Sequence, residues 1–222
     1  MSVSPHALVD PHADIGEGVS VGPFSVIGSA VGHTSEGPVR IGAHSAIGSH
    51  AIVYGSVTIG SRVSVDPFCR IGPYATIGDD CRLLYGARVH EEVTIGHHCV
   101  ISGNCPDKTT LGDHVVHLGR IAHGFHHPFE TDWDGPAEPG PTIGSRVAIG
   151  VDAIIVGPVT IGDNTFVLPG EIVRESLPGD GIWRRGEWVP MPNWSRHLQL
   201  LQPFSGSLQR AAARRPRPGR DE

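Results

Sequence analysis

Histidines crowd one stretch of this chain: of 14 in 222 residues, eight fall between residues 90 and 127. An imidazole takes up and releases a proton near neutral pH, so it is the side chain best suited to act as a general base on a hydroxyl or amine nucleophile. His123, in the segment RIAHG at 120–124, is the candidate base. The segment before it, SGNCPDKTTLGDHVVHLGR at 102–120, supplies Asn104 and Asp107 as groups that could orient that ring. The segment after it, GFHHPFETDWDGPAEPGPT at 124–142, supplies His126 and Trp133 as candidate substrate contacts. Each has a plainer alternative: a solvated surface histidine for His123, water-binding loop residues for His126 and His127. His117 reads as a packed or half-buried residue.

The formal charge of −6 argues against a general affinity for nucleic acid or an anionic membrane. No apolar run approaches the roughly 18 residues of a membrane span, and no basic-then-apolar leader opens the sequence. The expectation is a soluble cytoplasmic protein. Cys69, Cys81, Cys99 and Cys105 form no CxxC pair. The first three are separated by 12 and 18 residues, which places them at one repeated structural position as reduced core residues.

That position belongs to a repeat. An aliphatic residue returns every six positions: Val9, Ile15, Val21 and Ile27, then Ile41 without a break through Ile101, and again from Ile143 to Val173. Gly often follows it, as at Gly42, Gly48 and Gly60, and a small or β-branched residue lies two positions before it, as at Ala51, Val57 and Cys69. Six residues advance an α-helix by about 1.7 turns, so a helix would spread these positions around its surface. In a strand, residues two apart share a face. The repeat therefore predicts a short strand plus a corner, with Gly easing the corner backbone. Three such units close a triangular coil of 18 residues, and coils stack at about 4.8 Å. The fold class is all-β, a parallel β-helix in the form of a triangular prism.

The pattern breaks in three places. Residues 28–40 hold eight residues more than one repeat needs. In 102–120 the frame slips: from Leu111 a count of six lands on His117 and His123, whereas counting back from Ile121 gives Val115. The second frame is preferred, because it turns His123 outward just past a corner. Residues 124–142 are too long and polar for a corner and should project as a loop. The expected organisation is a β-helix over 1–178 with insertions at 28–40 and 124–142, a C-terminal cap over 179–204 and an Arg-rich flexible tail over 205–222. Trp183 and Trp188 either cover the last coil or stack on a ligand's base; covering is preferred, since a β-helix must hide its terminal edge.

With this periodicity the chain is identified as a member of the hexapeptide-repeat acyltransferases. RIAHG and the loop-then-repeats layout through TIGDN at 160–164 resemble UDP-N-acetylglucosamine acyltransferases and nucleotide-sugar N-acetyltransferases. The resemblance implies a left-handed coil, a homotrimer, and acyl transfer from acetyl-CoA or another acyl-CoA to an amino or hydroxyl group of a small acceptor such as a nucleotide sugar. It makes His123 the general base and sends the donor's pantetheine arm along the later coils. Gly150, Ala153, Gly157, Gly170 and Arg174 are then expected along that path, with an oxyanion-binding N–H near Gly150 or Gly157. No resident metal is expected. Two other classes stay open: a zinc enzyme of the γ-carbonic-anhydrase type, for which no two histidines lie five apart here, and a non-catalytic scaffold.

Overall fold

The computed structural model describes residues 2–29, 37–124 and 139–191. Within them the chain is a left-handed parallel β-helix of about nine turns, built from strands of two to four residues. None of the described residues forms a helix long and apolar enough to cross a membrane.

Each coil contributes one strand to each of three faces. In a regular stretch, Ser64–Val65 lies on the first face, Arg70–Ile71 on the second and Thr76–Ile77 on the third; the next coil repeats them 18 residues on, Ser64 against Arg82, Arg70 against Arg88, Thr76 against Thr94. In these strands the second residue points inward, and Ile59, Ile71, Ile77, Leu83 and Ile95 are all buried. The residue two before it is buried too, as at Val57, Cys69, Ala75 and Cys81. Each large side chain so covered contributes roughly 1.5–3 kcal/mol. Polar residues in the slot spend their hydroxyls on the backbone: Ser25 Oγ donates to Gly22 O at 2.8 Å and to Gly48 O at 2.9 Å. All four cysteines are buried free thiols, and Cys99 N–H donates to Cys81 Sγ one coil below at 3.3 Å.

The glycines after the aliphatic residue serve a purpose other than the expected one. The positive φ of each corner falls on a later residue, usually not glycine, such as His44, Arg62, Asp80 or His98. What Gly42 provides is room: a Cβ there would sit 2.5 Å from Gly60 C and Ser61 N in the next coil.

The frame slip resolves differently from either simple count. The first-face strands Val100–Ile101 and Val116–His117 are in register, so His117 occupies an inward position between Ile101 and Ile149 and is fully buried. Only four residues then separate Ile101 from Cys105, and four separate His117 from Ile121, where six is the rule. Both frames are therefore used: the step of six from Leu111 to His117 holds, Ile121 also faces inward, and the slip lies between them at a shortened corner. Val115 fills the small slot two before His117 rather than the aliphatic position.

The last coil is covered by an antiparallel hairpin, Gly181–Arg184 with Glu187–Pro190. Trp183 pairs with Trp188, is 5% exposed, and donates its indole N–H to Ile172 O at 3.2 Å, so these rings cover the core. The tail and the cap beyond residue 191 lie outside the described residues.

Candidate active site at the shortened corners

Two successive two-residue corners, Ser102–Gly103 and Leu118–Gly119, interrupt the second face where four residues are usual. Its backbone ladder stops at Asn104–Cys105 and starts again at Arg120–Ala122. Side chains replace the missing rungs. Asn104 Nδ2 donates across the gap to Ile121 O at 3.4 Å. From inside the coil, His117 Nε2 lies 3.3 Å from Asn104 O, and Gly103 leaves the room, since a Cβ there would meet the His117 ring at 2.7 Å. His117 Nδ1 has no partner among the described residues, and burial lowers this imidazole's pKa from 6.5 to about 4. His117 is therefore a neutral structural imidazole that ties off a carbonyl the short corner exposes.

Outside the coil, Asn104 turns its Oδ1 to His90 Nε2 at 2.8 Å. Asp107 Oδ1 accepts the Glu91 N–H at 2.9 Å and stands 3.8 Å from His90 Nδ1. The structure thus brings Asn104 and Asp107 together, but around His90 instead of His123. One ring nitrogen of His90 is thus engaged by Asn104, while the other lies beyond hydrogen-bond distance of Asp107. Sequence reasoning passed over His90; its signal was its place at the end of a strand one coil below Asn104.

His123 follows the strand Arg120–Ala122 at the corner after the second face, one residue before the described segment ends at 124. It is half-buried, and its ring has no hydrogen-bond partner among the described residues. Because Val100–Ile101 and Val116–His117 are in register and both following corners hold two residues, Asp107 and His123 stand at corresponding places in adjacent coils. Gly124 packs on Gly157, where a Cβ would lie 3.0 Å from the Gly157 Cα. His126 and Trp133 lie outside the described residues.

A family profile described as "Hexapeptide repeat of succinyl-transferase" matches residues 38–66, 74–105 and 142–167. The chain carries the hexapeptide repeat over these three segments. Among curated relatives of this hexapeptide-repeat chain, the bifunctional protein GlmU of Polaromonas sp. (strain JS666) is 30% identical over 138 residues, 59% of this chain and 28% of that protein. The GlmU of Koribacter versatilis is 28% identical over 205 residues, 88% of this chain and 42% of that protein. The chain thus spans less than half the length of these relatives. Two solved structures share the fold with a TM-score of 0.62. They are the UDP-N-acetylglucosamine O-acyltransferase of Moraxella catarrhalis, 17% identical with 94% of this chain and 81% of that chain covered, and the UDP-N-acetylglucosamine acyltransferase of Campylobacter jejuni, 12% identical with 96% and 82% covered.

The residues expected along the donor path of this hexapeptide-repeat protein do not form one surface. Ala153 is buried and points into the core. Gly150 and Gly170 belong to the corner before the second face, Gly157 and Arg174 to the corner after it. The Gly150 N–H is already donated to Val167 O and the Gly157 N–H to Ala122 O, both at 2.9 Å, so neither is free for an oxyanion. Among the described residues no three His, Cys, Asp or Glu side chains converge as metal ligands would.

Proposed function

We propose that this chain transfers an acyl group from an acyl-CoA to an amino or hydroxyl group of a nucleotide-linked sugar, with His123 as the general base. The observation that carries the reading is the division of labour among the imidazoles nearest the loop. His117 is sealed in the core, His90 is half-exposed but bound to Asn104, and His123, also half-exposed, has no hydrogen-bond partner among the described residues. A base needs an available lone pair within reach of solvent-delivered substrate. The base takes the acceptor's proton as the nucleophile attacks the thioester carbonyl, and returns it to the departing CoA thiolate.

Support for this chemistry comes from the matched family profile and from the fold shared with two enzymes whose names specify acylation of UDP-N-acetylglucosamine. Function as a homotrimer, with sites completed between prisms, is part of the same reading. His90, Asn104 and Asp107 act as positioning residues: the Asn104 amide clamps the Ile121 carbonyl and so fixes the strand that ends at His123. The test is release of free CoA thiol from acetyl-CoA and longer acyl-CoA donors in the presence of UDP- and dTDP-linked amino sugars; turnover with none of these combinations would contradict the proposal.

A further inference from the structure

Several arginines on this prism are placed beside a carboxylate. Arg62 holds Asp80 at 2.6 Å, Arg82 lies 3.6 Å from Asp66 and Arg146 3.7 Å from Asp163. Arg40 stands directly opposite Asp14 on the third face. The second face departs from that pattern. Its outward column runs Ile52, Arg70, Arg88, Asn104, Arg120, Ile154, with Arg70 directly opposite Arg88. Like charges facing each other across adjacent strands are unfavourable. Arg70 finds partial relief over the Tyr54 ring, 5.0 Å from its centroid. Arg88 and Arg120 are exposed and have no carboxylate partner among the described residues. Asp107, three residues past Asn104, is turned to His90 and the Glu91 N–H.

We infer that Arg88 and Arg120, with Asn104 between them, form an anion-binding strip that takes the diphosphate of a nucleotide-bearing substrate. The two arginines are two coils apart, about 10 Å at the parallel-strand spacing, a gap two guanidiniums can close around a diphosphate. Guanidinium forks bind phosphate oxygens in pairs, which a point charge does not match. His123 lies three residues past Arg120, so a group attached to a diphosphate held here is carried toward the candidate base. This deepens the proposed acyl transfer and rests on it only for the ligand's reacting end. The diphosphate could be that of the sugar nucleotide or that of CoA; the chemistry is the same, and the experiment separates the sources.

The test is titration calorimetry of the full chain with UDP and, separately, with CoA. It compares wild type with Arg88→Gln, Arg120→Gln, the fork-removing Arg88→Lys and Arg120→Lys, and the control Arg40→Gln. The strip predicts that wild type binds at least one probe and that each Gln variant weakens the same probe tenfold or more. The Lys variants should fall between, and Arg40→Gln should change affinity less than twofold. The probe that loses affinity names the source. Melting temperature should not fall in Arg88→Gln, because the substitution relieves its opposition to Arg70. Unchanged affinity of both Gln variants for both probes, or no binding by wild type, overturns the strip. Arg-dependent binding without acyl transfer sustains the strip and contradicts the acyl-transfer reading. Acyl transfer with KM unchanged in both Gln variants overturns the strip alone.

Discussion

The Nε2 of His90 stands 2.8 Å from Oδ1 of Asn104, the residue at which the second face loses its backbone ladder. One side chain thus faces two ways: its oxygen holds an imidazole on the coil below, and its nitrogen reaches the Ile121 carbonyl on the coil above. Asn104→Ala removes both contacts. It should lower unfolding free energy by about 1–2 kcal/mol and reduce kcat without a matching rise in KM. Asn104→Asp keeps an acceptor for His90 but loses the donor to the Ile121 carbonyl, so its kcat should fall between wild type and Asn104→Ala.

His117 links stability to pH. Its pKa is about 4 in the folded chain against 6.5 unfolded, so the fold holds the neutral ring. The contribution is fully present above pH 6.5 and is lost as pH falls from there toward 4, because only the unfolded chain takes up the proton. Between pH 7.5 and pH 5 this one group should remove about 2 kcal/mol of stability. His117→Ile, matching Ile101 and Ile149 in its column, should lack that part of the slope in urea unfolding; an identical pH dependence in the variant would show the ring is not sealed.

Thiol chemistry reports on the closed core. Burial pushes the Cys69 thiol up to about 11 and the Cys105 thiol up to about 12, and Cys99 is raised as well. The Cys81 thiol is lowered by its contact with Cys99, but all four are buried, so a disulfide reagent at pH 8 should label no cysteine in the native chain and all four after unfolding in denaturant. Fast labelling of any cysteine in the native chain would contradict the stacked interior.

Two glycines should separate space from conformation. Gly42→Ala forces a methyl against the backbone of the next coil and should cost roughly 3 kcal/mol, the upper end of overpacking. Gly86 has φ +71° with open space beside it, so Gly86→Ala should cost about 1–2 kcal/mol, from backbone strain alone. Equal losses, measured by urea unfolding, would mean that coil-to-coil approach does not set the glycine requirement.

The coil was legible because its physical cause is a period: a residue at every sixth position can share an interior only if strands and corners alternate. The inward columns, the cysteine slot and the covering tryptophans follow from that count. What the period hides is any place where the chain takes four residues instead of six. A polar His117 in an aliphatic position looked like a frame error, yet it fits because the short corner leaves the Asn104 carbonyl in need of a donor. His90 went unread for a related reason, since its partners lie 14 and 17 residues away through the shortened coil, not at the regular 18. Residues near Gly150 and Gly157 were expected to offer free N–H groups, but adjacent coils use those hydrogens in the ladder.

The most direct test is the rate of acyl transfer by His123→Ala beside wild type and His90→Ala, across pH 6 to 9 with saturating acyl-CoA and acceptor. Loss of a general base removes a factor of about 10²–10⁴ from kcat, and the account assigns that loss, together with the disappearance of the acid limb of the wild-type pH profile, to His123→Ala. His90→Ala should lose less and keep that limb. Full activity in His123→Ala, or the acid limb vanishing with His90→Ala instead, would contradict it.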